Sequence, residues 1–144
     1  MLIGEYKHTI DAKKRISLPA KFRRELGKKA VITRGLDKCL FVYSLEEWKK
    51  VAETLSGLST GQADSRNFGR LLLAGAVDVE IDSLGRILIP DYLKNYAELK
   101  DKAVVAGVYK RIEIWNEKRW EEFKSGVEEK ADLLAEKLGE LGLY

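Results

Sequence analysis

Apolar and polar residues alternate along two short stretches of the chain, and the two stretches are alike. Val77, Val79 and Ile81 alternate with Asp78, Glu80 and Asp82, the period-two mark of a strand with one buried face. Asp82-Ser83-Leu84-Gly85 follows as a tight turn, since an aspartate can bond its own backbone two residues on and Gly85 tolerates positive φ. Arg86-Ile87-Leu88-Ile89 returns as a second strand. Pro90 cannot donate to a ladder but suits the first turn of a helix, so a short helix is predicted through Leu93 and Ala97. The same order, Ile10-Asp11-Ala12-Lys13-Lys14-Arg15-Ile16-Ser17-Leu18-Pro19, occurs 71 residues earlier, with Lys14 where the later copy has Gly85. Phe22 and Leu26 then share one face of a helix that Gly27 stops.

The likeness continues downstream. Lys29-Ala30-Val31 matches Lys102-Ala103-Val104, Leu40-Phe41-Val42-Tyr43 matches Ile112-Glu113-Ile114-Trp115, and Trp48 matches Trp120. These segments predict strands around 30–33, 40–43, 103–106 and 112–115. Ser44 and Glu47 form a capping box ahead of an apolar stripe of Trp48, Val51, Ala52 and Leu55. Asn116 caps a second helix, in which Trp120, Phe123, Val127, Ala131, Leu134, Leu138 and Leu141 recur at steps of three or four, with Gly126 as the candidate break. Two copies of so long a repeat predict two halves of one pseudo-symmetric fold and not a solenoid. The expected divisions are a first half at 1–55, a linker and connecting helix at 56–75, a second half at 76–123 and a helical extension at 124–144.

Composition removes several classes of chemistry. With 144 residues, 45% of them hydrophobic, the chain can build one modest core, and no apolar run approaches the ~20 residues of a membrane-spanning helix. The N-terminus lacks the basic region and apolar run of a signal peptide, so a cytoplasmic location is expected. Cys39 and His8 are the only residues of their kinds, too few for a disulfide or most of a zinc site, so neither metal nor cofactor is expected. No phosphate-cradling glycine motif occurs, and no nucleophile motif surrounds His8. A small-molecule substrate and catalysis therefore have little support.

Charge is unevenly spread. Residues 1–70 carry 15 basic and 8 acidic side chains, net +7, whereas residues 71–144 carry 11 and 15, net −4. Between Glu5 and Arg34 ten basic residues face three acidic ones. Such a patch fits an anionic partner, nucleic acid being the commonest, although a solvated basic face reads the same way.

The repeated D-x-x-x-R-[IL]-x-[IL]-P motif, Asp11 to Pro19 and Asp82 to Pro90, with its matching Ala-Val strands and Trp-bearing helices, resembles the MraZ family from Met1 to about Phe123. The resemblance implies an α+β fold in which two AbrB-like swapped-hairpin halves close a small β-barrel with peripheral helices. It also implies a bacterial, nucleoid-associated transcriptional regulator that binds short G-rich direct repeats in the promoter of the division and cell-wall gene cluster and assembles into a ring-like homo-oligomer. On this reading Arg15 reads bases, because arginine can bond guanine O6 and N7 bidentately. Lys13, Lys14, Arg23 and Arg24 are candidate phosphate contacts, and Asp11 shapes the turn or braces Arg15. Arg86 is the counterpart of Arg15, but Asp78, Glu80, Asp82 and Asp91 surround it in sequence, so a structural pairing with Asp82 is expected ahead of DNA contact. Two other classes remain: an AbrB-type antitoxin or transition-state regulator, and a phosphate-handling enzyme. The stripe of Leu134, Leu138 and Leu141 is expected either to join subunits or to dock on its own barrel.

Overall fold

In the computed structural model, which describes residues 1–144, the strand–turn–strand–helix series forms twice. The first half consists of β1 (Leu2–Thr9), β2 (Arg15–Ser17), α1 (Ala20–Leu26), β3 (Lys29–Arg34), β4 (Leu40–Ser44) and α2 (Leu45–Ser56). Helix α3 (Ala63–Ala74) connects it to β5 (Val77–Glu80), β6 (Arg86–Leu88), α4 (Asp91–Tyr96), β7 (Lys102–Tyr109), β8 (Ile112–Asn116) and α5 (Glu117–Glu129), and α6 (Ala131–Glu140) ends the chain.

Pairing exchanges strands between the halves. The antiparallel sheet has the order β1-β7-β8-β4-β3-β5, and a separate ribbon joins β2 to β6. The first strand of each half thus pairs with a strand of the other: Leu2 to Thr9 run against Tyr109 to Lys102, and Lys29 to Ile32 run against Glu80 to Val77. The order reads the same from either edge when each strand is exchanged for its match in the other half, so the repeat is a two-fold relation within the sheet. The result is a mixed α+β fold with six helices. Its ladders leave β1 and β5 unpaired with each other, so they do not themselves close the expected barrel.

Strand parity sets which side chain goes where, because successive residues point to opposite faces. Leu40 and Val42 of β4 and Ile112 and Ile114 of β8 enter the main core with Ile16, Ile87, Phe22, Leu26 and Leu93. Phe41, Tyr43, Val104 and Trp115 point the other way, under Trp48 and Val51 of α2 and Trp120 of α5. One face of the sheet is therefore covered by the ribbon, α1 and α4, and the other by α2 and α5.

The helix signals hold with two changes. Pro19 and Pro90 immediately precede α1 and α4, and Asn116 caps α5 by accepting from the Arg119 amide at 3.1 Å. Ser44 accepts from the Glu47 amide at 3.2 Å, but Glu47 bonds Lys50 at 2.8 Å, so half of the capping box forms. The oppositely charged neighbour one turn on wins the carboxylate. The break between α5 and α6 falls at Lys130, not Gly126, since one glycine costs a helix only ~1 kcal/mol. Beyond it α6 packs on α5 and buries none of its residues; positions 125–144 are all exposed. The Leu134, Leu138 and Leu141 stripe therefore does not dock on its own sheet. No helix is long and apolar enough to cross a membrane.

Candidate nucleic-acid interface

The two motif aspartates build the same turn. Asp11 Oδ1 accepts from the Lys13 and Arg15 amides, both at 2.9 Å, and its Oδ2 accepts from Arg15 Nε at 2.9 Å. Asp82 does this for Leu84 at 3.0 Å, for the Arg86 amide at 2.8 Å and for Arg86 Nε at 2.8 Å. Lys14 (φ 63°) and Gly85 (φ 78°) occupy the same left-handed conformation, so the missing glycine leaves the turn type unchanged. Each of these two residues then ties the halves together: Lys14 O accepts from the Ile89 amide and Gly85 O from the Leu18 amide, both at 2.9 Å. At position 85 a Cβ would meet the end of the Arg23 side chain, which would have to swing aside.

These bonds fix where the arginines point. In the ribbon Arg15 pairs with Leu88, Ile16 with Ile87 and Ser17 with Arg86. Ile16 and Ile87 are fully buried, which puts Arg15, Ser17, Arg86 and Leu88 on the outward face. Arg15 and Arg86 are diagonal neighbours, a relation that spaces such positions by about 7–8 Å. Their Nε atoms are held by aspartate while the terminal guanidinium nitrogens have no partner in the chain. The two side chains are similarly part-buried, 29% and 26% exposed.

The expected pairing of Arg86 with Asp82 forms, and strand exchange adds basic residues of the first half to the acidic ones around it. Arg23, Lys28 and Lys29 of the first half line a shallow depression with Glu80, Asp82 and Ser83. Lys13 and Lys14 line another with Leu88, Pro90 and Asp91, and Lys14 is ion-paired to Asp91. Basic residues of the first half thus flank the second turn, and an acidic residue of the second half meets the first. Linear charge counting missed this because neighbours in sequence are not neighbours across a swapped strand. Among the sequence-chosen residues, Lys13 is exposed at the tip of the first turn, Arg24 is exposed on α1, and Arg23 lies over Gly85 with its Nε buried and unpaired. Lys28 and Lys29 stood in the basic run without being singled out; their place beside Asp82 follows from the β3–β5 pairing.

The remaining reactive groups lie elsewhere. Cys39 is buried under the second face of the sheet, where burial raises its thiol pKa, and its Sγ donates to Leu36 O at 3.1 Å. His8 sits on β1, its pKa lowered by partial burial.

The turn carboxylates carry a pH signature. Bonds from the Arg15 and Arg86 amides, aided by the guanidinium groups, hold Asp11 and Asp82 below the ordinary value of 3.8. A depressed folded pKa gives a contribution that is complete above 3.8 and lost as pH falls through the lower folded value. Between pH 5 and 2 the melting temperature of the parent should therefore fall more steeply than that of the Asp11→Asn, Asp82→Asn double variant. Parallel curves would show that the turns bind no differently once protonated.

Fold and ribbon together define a duplicated, strand-exchanged α+β protein with a basic, arginine-bearing face suited to an anionic partner. The family model described as "MraZ protein, putative antitoxin-like" matches residues 1–71 and again 72–137. The chain is 50% identical over 143 residues to "Transcriptional regulator MraZ" of Thermoanaerobacter sp. (strain X514), covering 99% of this chain and 100% of that protein. The proteins of the same name from Caldanaerobacter subterraneus and Moorella thermoacetica are 49% and 48% identical, each over 96% of both chains. The chain belongs to the MraZ family.

Proposed function

We propose that this chain is a sequence-specific DNA-binding transcriptional regulator whose β2–β6 ribbon enters the major groove, Arg15 and Arg86 reading guanines. One observation carries this reading: two arginines, each anchored through Nε by an aspartate, face outward from one ribbon with their terminal nitrogens free. A two-stranded ribbon fits the ~12 Å major groove, and a braced guanidinium presents its fork without further ordering. Lys13, Lys14, Arg23 and Arg24, joined by Lys28 and Lys29, are phosphate contacts that set register; Asp11 and Asp82 brace. The relatives' name, transcriptional regulator, supports the same conclusion.

The finer reading is an AbrB-type swapped-hairpin barrel in which the ribbon spans the gap between β1 and β5. It acts in the cytoplasm on the nucleoid, at short direct repeats in the promoter of the division and cell-wall gene cluster. Footprinting on the region upstream of the protein's own operon tests it: protection of two or more G-rich repeats is expected, and an unprotected region would defeat it.

Self-association belongs to this reading. Leu134 and Leu138 on one side of α6, with Leu141 just past its end, are each at least 41% exposed, an apolar face that a monomer leaves in water. We expect an oligomer by light scattering, and affinity that climbs steeply with repeat number, because linked sites raise avidity by ~10²–10⁴. A monomer at micromolar concentration that binds one repeat as tightly as four would rule this out.

A further inference from the structure

The outward face of the ribbon is not uniformly polar. Leu88 stands opposite Arg15 and is 55% exposed, although Ile87 and Ile89 on either side of it are fully buried. Leu84, at the tip of the second turn, is 63% exposed, and its amide is fixed to Asp82 Oδ1 at 3.0 Å. The matching positions of the first half are polar: Ser17 for Leu88 and Lys13 for Leu84. A single exposed leucine is ordinary, but here both flank the two outward arginines, one beside each.

On the base-facing edge of the major groove the one apolar group is the thymine 5-methyl. A leucine gains nothing from phosphate, and a wedge between base steps belongs to minor-groove binders. The turn bonds hold Leu84, and the strand pairing holds Leu88, so neither backbone needs ordering on contact. We propose, on the basis of the DNA-binding reading above, that Leu88 and Leu84 are specificity-determining residues that pack on the methyl groups of thymines flanking the guanines read by Arg15 and Arg86. Because the first half has Lys13 and Ser17 at these places, the two ends of the ribbon read different sequences. The recognised box is then not a palindrome.

The test removes the methyl group and nothing else. Each thymine of the footprinted duplex is replaced in turn by deoxyuridine, and binding is measured by fluorescence anisotropy for the parent, Leu84→Ala and Leu88→Ala. The parent should lose about fourfold in affinity at two positions, the worth of one buried methyl group at each. Leu88→Ala should abolish the loss at one of them and Leu84→Ala at the other, while both variants keep their discrimination at the guanines. Both side chains are exposed, so parent-like thermal melts are expected and are recorded alongside. A flat deoxyuridine scan, or losses that persist in both variants, overturns the inference while leaving the DNA-binding reading intact. A parent that binds cognate and scrambled duplexes equally overturns that reading and the inference with it.

Discussion

Arg15→Ala is expected to erase most of the preference for cognate over scrambled DNA, and Arg86→Ala to do so to a similar degree. Each bidentate guanine contact discriminates by ~1–3 kcal/mol, so about 5- to 150-fold in relative affinity should disappear per variant. Charge along the chain argued for unequal halves, with Arg86 repelled from phosphate by its acidic neighbours. The geometry argues for equality: the bracing distances agree within 0.1 Å, and both arginines lie on one face. Stability should change little in either variant, because a part-exposed ion pair is worth ~0–1 kcal/mol. Lys13→Ala should behave differently. It should weaken binding to cognate and scrambled DNA alike and lower the salt slope by ~0.9 for one lost phosphate contact. Anisotropy titrations at several salt concentrations read all three. Parent-like preference in Arg86→Ala, with loss in Arg15→Ala alone, would restore the asymmetry drawn from charge. Parent-like preference in both would remove the ribbon from the reading surface.

The difference between those two expectations shows what the sequence could carry. Local physics was legible: Asp82 with Gly85 specified a turn, Pro19 and Pro90 opened short helices, and period-two alternation marked the strands. The internal repeat even matched the equivalent residues of the two halves. Partner choice came only with the family resemblance and not from the residue pattern, because Val77, Val79 and Ile81 present the same alternating face whether they pair with β3 or with a strand of their own half. Only the pairing of Lys29 with Glu80 and Ala30 with Val79 brings Lys28, Lys29 and Arg23 to the second turn. The left-handed Lys14 was hidden for another reason. Its strain, ~1–2 kcal/mol for a residue other than glycine, is offset by a bond that crosses to Ile89 in the other half. The outward register of Leu88 likewise required knowing that β2 and β6 form a ribbon of their own.

Strand exchange has a large consequence for folding: neither half should fold alone as a monomer. Severed after Ala74, the first half would keep β1 without β7, β3 without β5 and β2 without β6, leaving only the β3–β4 ladder among its strands. It would also expose Ile16, Leu18, Phe22, Ile32, Leu40 and Val42, which now share one core with Ile87, Ile89, Leu93, Val105, Ile112 and Ile114. Fully burying one such side chain is worth ~1.5–3 kcal/mol, so exposing all six costs ~9–18 kcal/mol, as much as the ~5–15 kcal/mol by which a domain of this kind is stable. Chains of residues 1–74 and 75–144, prepared separately at low micromolar concentration, should show no cooperative melt by circular dichroism. Mixed in equal amounts they should recover one, with a midpoint that rises with total concentration, because the missing strand of each half is supplied by the other and association adds to stability by mass action. The concentration dependence matters most, since residual local helix in α2 or α5 would give signal but no shifting midpoint. A cooperative, concentration-independent melt of residues 1–74 as a monomer would mean that β1 can return to its own half, and that the exchange is not what holds the fold together.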